Sequence, residues 1–240
     1  MIRIVTLLLI GCCLSGQANA VEPWRIASDN AFPPYAYLDS ANKPAGLDTE
    51  IVEAVMRRLG EPYDLKMVPW ERVKYLLDNK QIDMAFQFVK TPEREARYRL
   101  VGPFRSGLTV LIVREDSDIQ AARLTDLRGY LFGTVHGYAY TKEFDSAQLQ
   151  RDDKALNPSQ LIRKLLLGRV DIIIGDKTQI LHAARLMGEE EKLRVLEPPL
   201  AESARFVGFP KDSDKADRFE MTLNELIRSG EIQVILNRWK

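Results

Sequence analysis

From Trp24 onward, short apolar runs alternate with amphipathic stretches, the pattern of an α/β protein. Trp24 to Ser28 reads as a strand, followed by a turn-rich loop through Pro33, Pro34 and Pro44. Leu47, Ile51, Val55 and Leu59 recur at helical spacing, so Leu47 to Leu59 reads as a helix with Asp48 near its start and Gly60 closing it. Tyr63 to Val68 returns as a strand. Trp70 to Asn79 reads as a helix turning Val73, Leu76 and Leu77 inward, and Ile82 to Phe86 as the next strand. Thr91-Pro92 opens a further helix, with threonine as N-cap and proline at the first helical position.

The second half repeats the plan. Tyr130 to Thr134 reads as a strand, Asn157-Pro158-Ser159-Gln160 as a capping box opening a helix through Leu167, and Gly168 as its stop. Val170 to Ile174 has the character of a strand in a buried parallel sheet, and Asp176 starts a helix that runs to about Met187. The segments Leu76 to Asp83 and Leu166 to Asp171 share a helix end, a basic turn and a branched residue followed by aspartate. Two similar α/β lobes are the economical reading of that echo. Val110 to Arg114 and Arg205 to Phe209 are the candidate strands crossing between lobes, which assigns 21–112 plus 207–240 to one lobe and 113–206 to the other. Between two such lobes lies a cleft, a preferred place for small-molecule sites.

The first twenty residues stand apart. Arg3 is their only charge, Ile4 to Ile10 form an apolar run, and Ala18-Asn19-Ala20 supplies the small residues of a cleavage site, so 1–20 reads as a signal peptide. The apolar run is far shorter than the roughly 18 to 20 residues that span a bilayer. Leu9-Ile10-Gly11-Cys12 carries the alternative of a lipoprotein anchored at Cys12; either way the protein is placed outside the inner membrane. Cys12 and Cys13 are the only cysteines, so the mature chain has no disulfide or thiolate chemistry and is held by its core alone. Formal net charge is zero, which gives no reason to expect nucleic acid as a partner. With His136 and His182 the only histidines, a histidine metal cluster is not expected.

Catalytic motifs are nearly absent. Ser40-Ala41-Asn42-Lys43 and Ser28-Asp29-Asn30 match Ser-x-x-Lys and Ser-Asp-Asn, but in the reverse of the order used by penicillin-recognising enzymes and without Lys-Thr-Gly. No phosphate loop or zinc motif occurs, and no cofactor is expected. What remains is chemistry at the ends of strands, where open α/β sheets bind ligands. Arg94, one turn into the helix opened by Thr91, is either a carboxylate ligand or a solvated helix residue. Asp176 either holds an ammonium group or caps its helix. Phe32, Tyr35, Tyr37, Trp70 and Tyr138 either close over a ligand or pack loops onto their own lobes. His136 reads as a surface histidine.

In order and spacing, Phe32-Pro33-Pro34-Tyr35, Gly46-Leu47-Asp48-Thr49-Glu50-Ile51, Val68-Pro69-Trp70, Thr91-Pro92-Glu93-Arg94, Gly168-Arg169-Val170-Asp171 and Ile235-Leu236-Asn237-Arg238-Trp239 are specific. Through them the chain resembles the bacterial extracellular solute-binding proteins of family 3, the polar amino-acid binders of ABC importers, from about Trp24 to Trp239. The resemblance implies a type II periplasmic-binding-protein fold: two lobes, two hinge strands and closure around the ligand. It makes Arg94 the carboxylate-binding arginine, Asp176 the ammonium-binding aspartate, Phe32 and Trp70 the aromatic clamp, and Asp29 a residue facing the ligand side chain. Gly137 and Tyr138 fall in the second-lobe turn that offers backbone amides. Departures concern specificity: Val89 replaces the usual serine or threonine beside Arg94, Gln87 and Phe88 replace small residues, and Tyr138 is bulkier than the common threonine. The expected function is a monomeric periplasmic binding protein that delivers a polar amino acid or related small solute to an ABC permease. The alternatives are a cyclohexadienyl-type dehydratase on the same scaffold, with Asp29, Asp176 or His136 as its acid, and a ligand-sensing partner of a membrane receptor.

Overall fold

The computed structural model describes residues 22–120 and 123–239; the signal segment and the Cys12 alternative lie outside them. β1 (Trp24–Asp29) leads into a small antiparallel sheet of β2 (Ala31–Phe32), β3 (Ala36–Leu38) and β4 (Pro44–Ala45). There follow α1 (Leu47–Leu59), β5 (Tyr63–Val68), α2 (Trp70–Asp78), β6 (Met84–Phe88), α3 (Pro92–Arg97) and the long β7 (Tyr98–Arg114). Next come β8 (Leu131–Val135), α4 (Lys142–Ser146), β9 (Gln150–Ala155), α5 (Pro158–Leu166), β10 (Ile172–Asp176) and α6 (Lys177–Leu186). The equally long β11 (Leu193–Pro210) returns, followed by α7 (Lys215–Arg228) and α8 (Glu231–Arg238).

Local chemistry accounts for the helix boundaries. Gly60 ends α1 in the left-handed conformation, φ 70°, and its N–H donates to the Met56 carbonyl. Thr91 Oγ1 accepts the N–H of Arg94 at 3.2 Å, with Pro92 at the first position of α3. Asn157 caps α5 in the same way through the N–H of Gln160, 3.0 Å away. The echo between the halves has a common physical basis. After α2 the chain turns through Lys80, φ 53°, and after α5 through Gly168, φ 65°. Asp83 then accepts the N–H of Arg25 at 2.8 Å, and Asp171 accepts the N–H of Leu131 at 2.8 Å, each returning its own N–H to the same residue's carbonyl. Each aspartate thus fastens its strand to the parallel strand beside it, β1 in one half and β8 in the other.

The sheet order is β5-β1-β6-β11-β7-β10-β8-β9. Pairing is parallel within each half, but β11 runs antiparallel to β6 and β7, and β7 antiparallel to β10. The sheet is therefore mixed where the apolar run of β10 suggested a parallel one, because the two long strands traverse both halves. Core packing divides accordingly. Trp24, Ile51, Phe86, Phe209 and Phe219 belong to one cluster and Trp70, Val73 and Phe88 to a second; Leu161, Ile162 and Ile173 belong to a third and Phe132, Phe144 and Ile174 to a fourth. Tyr138 packs against all four. Among the described residues no helix is long and apolar enough to cross a membrane.

Candidate functional site

The cap at Thr91 fixes where α3 begins and so where Arg94 points. Arg94 is 9% exposed, lying between the rings of Trp70 and Phe88, whose centroids are 5.7 and 5.4 Å from its guanidinium carbon. It donates to the Val89 carbonyl at 3.0 Å and more distantly to the Gly137 carbonyl at 3.5 Å. At the position where a hydroxyl was expected, Val89 supplies its backbone carbonyl. Among the described residues, no carboxylate forms an ion pair with Arg94. Burial lowers its pKa to about 10, which leaves it charged at neutral pH.

Asp176 stands at the junction of β10 and α6, and both sequence readings meet in it. As N-cap it accepts the Gln179 N–H at 3.1 Å on the oxygen that also accepts the Tyr35 hydroxyl at 3.1 Å. Its other oxygen accepts from Arg205 at 3.3 Å. A carboxylate has about four acceptor positions, and these three donors use three of them; Asp176 lines the cavity. Arg205 on β11 lies in register with Arg105 on β7. Arg105 forms a two-pronged pair with Asp48 of α1, and its guanidinium carbon sits 3.5 Å from the centroid of the Tyr35 ring. Gln87, at φ 81°, accepts from the Ser28 hydroxyl at 3.0 Å and donates to Asp48 at 3.3 Å. Two buried cations are thereby matched by two buried carboxylates, and Arg94 is left over.

Across the cleft, the Tyr138 hydroxyl donates to Asp29 at 2.6 Å, and its ring meets Phe32 with centroids 5.9 Å apart. Burial raises the Asp29 carboxyl above its ordinary value and the Tyr138 phenol well above its own, so the phenol is the donor at neutral pH. Trp70 Nε1 donates to the Gly137 carbonyl at 3.2 Å. The amide of Tyr138 is spent on the Val135 carbonyl, 3.1 Å away, and the Gly137 carbonyl accepts from Trp70 and, more distantly, from Arg94. Gly137 adopts φ 74° and stays off the cavity wall.

The wall brings together Asp29, Phe32, Trp70, Gln87, Arg94, Tyr138 and Asp176, with Val89 beside them. Sequence reasoning missed Thr109, Tyr140, Gln179 and Arg205, which also line it. Arg205 carried a signal, a basic residue inside an otherwise apolar strand, but nothing in the sequence pointed to Asp176 as its partner. His136 is exposed, 3.7 Å from Asp153, and outside the cavity wall.

Residues 24–240 match the description of bacterial extracellular solute-binding proteins, family 3. The chain belongs to that family. Among curated relatives, the L-cystine-binding protein TcyA of Bacillus subtilis is 22% identical over 89% of this chain and 80% of its own length. The arginine-binding extracellular protein ArtP of the same organism is 21% identical over 97% and 96%. Of solved structures, the arginine-, lysine-, histidine-binding protein ArtJ from Geobacillus stearothermophilus superposes with a TM-score of 0.78 at 26% identity, covering 91% of this chain and 95% of that one. The fold is thus that of a two-lobed solute-binding protein, with β7 and β11 running between the lobes.

Proposed function

We propose that this family member is a monomeric periplasmic receptor that binds a small solute bearing a carboxylate, an amino acid or a close relative of one, and delivers it to an ABC permease. One observation carries the reading: Arg94 is a buried cation that no carboxylate among the described residues neutralises, and it faces the cleft. Burying an unpaired charge is costly, and a ligand carboxylate in two-pronged contact would offset that cost. The acceptor position left on Asp176 suits an ammonium group. The similarity to TcyA, ArtP and ArtJ, all amino-acid-binding proteins, supports the same class.

In this reading residues 1–20 are a removed signal, 21–112 with 207–240 form the first lobe, and 113–206 form the second. Binding favours the closed arrangement, which the membrane partner recognises. Calorimetric titration of wild type and Arg94→Ala with a panel of amino acids and small carboxylates tests it. Loss of the arginine is expected to cost about 2–5 kcal/mol of binding, as for stripping one member of a buried charge pair. Equal affinity in the two proteins would remove Arg94 from the site.

A further inference from the structure

We propose that Tyr138 is a built-in side chain of the ligand site: its phenol fills the half of the cleft that faces Asp29 and limits the solute to acids with little or no side chain. The inference rests on Arg94 as the carboxylate anchor, which places the ligand's remaining atoms toward Asp29.

Three observations converge. First, Asp29 differs from the other acids on the wall or just behind it: Asp176 pairs with Arg205 and Asp48 with Arg105, whereas no cation among the described residues pairs with Asp29. The Tyr138 hydroxyl takes that place at 2.6 Å, as a ligand's cationic or hydroxyl group would. Second, the ring is fixed rather than loosely laid in. It contacts Phe32 and Tyr140, with centroids 5.9 and 6.5 Å away, and packs against all four core clusters. Third, with the ring in place the free space is about 40 Å³. At roughly 10–15 Å³ per enclosed water, that holds about three waters. Any amino acid must widen this space on entry: glycine and L-serine need little widening, whereas the long stem and guanidinium of L-arginine need the phenol displaced. Without the phenol, Asp29 would lack its hydrogen-bond donor, and a cationic ligand group could take that place.

The test is a titration of glycine, L-serine, L-glutamine and L-arginine into wild type, Tyr138→Thr, Tyr138→Phe and Tyr138→Thr/Asp29→Asn, with folding checked by circular dichroism. In wild type, any response is expected to be confined to glycine and L-serine. Tyr138→Thr is expected to gain L-arginine affinity at least tenfold, Tyr138→Phe to stay closed to it because the ring volume persists, and the Asp29→Asn addition to remove most of the gain. Wild type binding L-glutamine or L-arginine at least as tightly as glycine and L-serine overturns the proposal, and this arm stands even where Tyr138→Thr fails to fold. A folded Tyr138→Thr without the gain, or a gain undiminished by Asp29→Asn, overturns it as well. Arginine binding by Tyr138→Thr that survives Arg94→Ala would instead sink the anchor and leave the Tyr138 filter standing.

Discussion

Asp48→Asn removes the negative charge opposite Arg105 while keeping the side-chain volume. Both side chains are sealed, with exposures of 0% for Asp48 and 2% for Arg105. Burial leaves the Asp48 carboxyl above its ordinary value, with the attraction and hydrogen bonds of Arg105 the largest effects opposing it, and the two-pronged contact makes Arg105 its main partner. Stripping one member of a buried pair typically costs about 3–5 kcal/mol, because the other charge stays buried and uncompensated. Arg105 has little to fall back on: its Nη1 already lacks a hydrogen-bond partner among the described residues. What it keeps is the face of Tyr35 at 3.5 Å, which places the expected loss toward the lower end of that range. For a chain of this size each kcal/mol moves the midpoint about 2–4 °C, so thermal unfolding at pH 7 should shift down by roughly 6–12 °C. Arg105→Met added to Asp48→Asn should recover part of the loss, since a neutral pair leaves no orphaned charge. A fall below about 3 °C in the single variant, or a double variant that simply adds two losses, would refute the reasoning. Ligand affinity should drop in the single variant as well, because Arg105 seats Tyr35, and Tyr35 donates to Asp176.

Two further outcomes follow from the fold. Despite burial, which raises it, the Asp83 carboxyl is held at about 2 by hydrogen bonds from the Arg25 side chain and backbone and by Lys215. A depressed carboxylate adds stability above its unfolded value of about 3.9 and loses it as pH falls through about 2, worth about 2 kcal/mol at neutral pH. Asp83→Asn should therefore melt about 4–8 °C below wild type at pH 7 and only slightly below it at pH 2; a gap independent of pH would count against this. In Gly137→Ala, φ 74° carries about 1–2 kcal/mol of strain for a side-chain-bearing residue. The added methyl also displaces Glu71 from Lys74 on the facing helix, so both midpoint and ligand affinity should fall, and an unchanged protein on both counts would contradict the contact.

The distinction between what the sequence showed and what it hid follows the solvent. α1, β5 and the caps of α3 and α5 were legible because each is decided by apolar spacing and one or two neighbouring residues. The Asp83 and Asp171 echo was legible for the same reason, and its meaning, a carboxylate fastening parallel strands, is equally local. β9 was missed because its sequence of Gln150 to Ala155 is almost wholly polar, as suits a charged strand at the sheet's edge. The spans of β7 and β11 were underestimated for a different reason. Where these strands cross between lobes they carry Arg105, Ser106, Thr109, Ser203 and Arg205, so apolar periodicity registers only their ends. Arg105 and Arg205 are buried all the same, by pairing with Asp48 and Asp176 from distant parts of the chain, and Thr109 and Ser203 by hydrogen-bonding each other; no local pattern encodes such partners. Tyr138 belongs to this class: its bulk could be read from the sequence, its reach to Asp29 across 109 residues could not. Several positions that break the hydrophobic pattern, Thr109, Tyr138 and Arg205 among them, thus gather in the cleft, which is what is expected when a core is interrupted to recognise a charged solute.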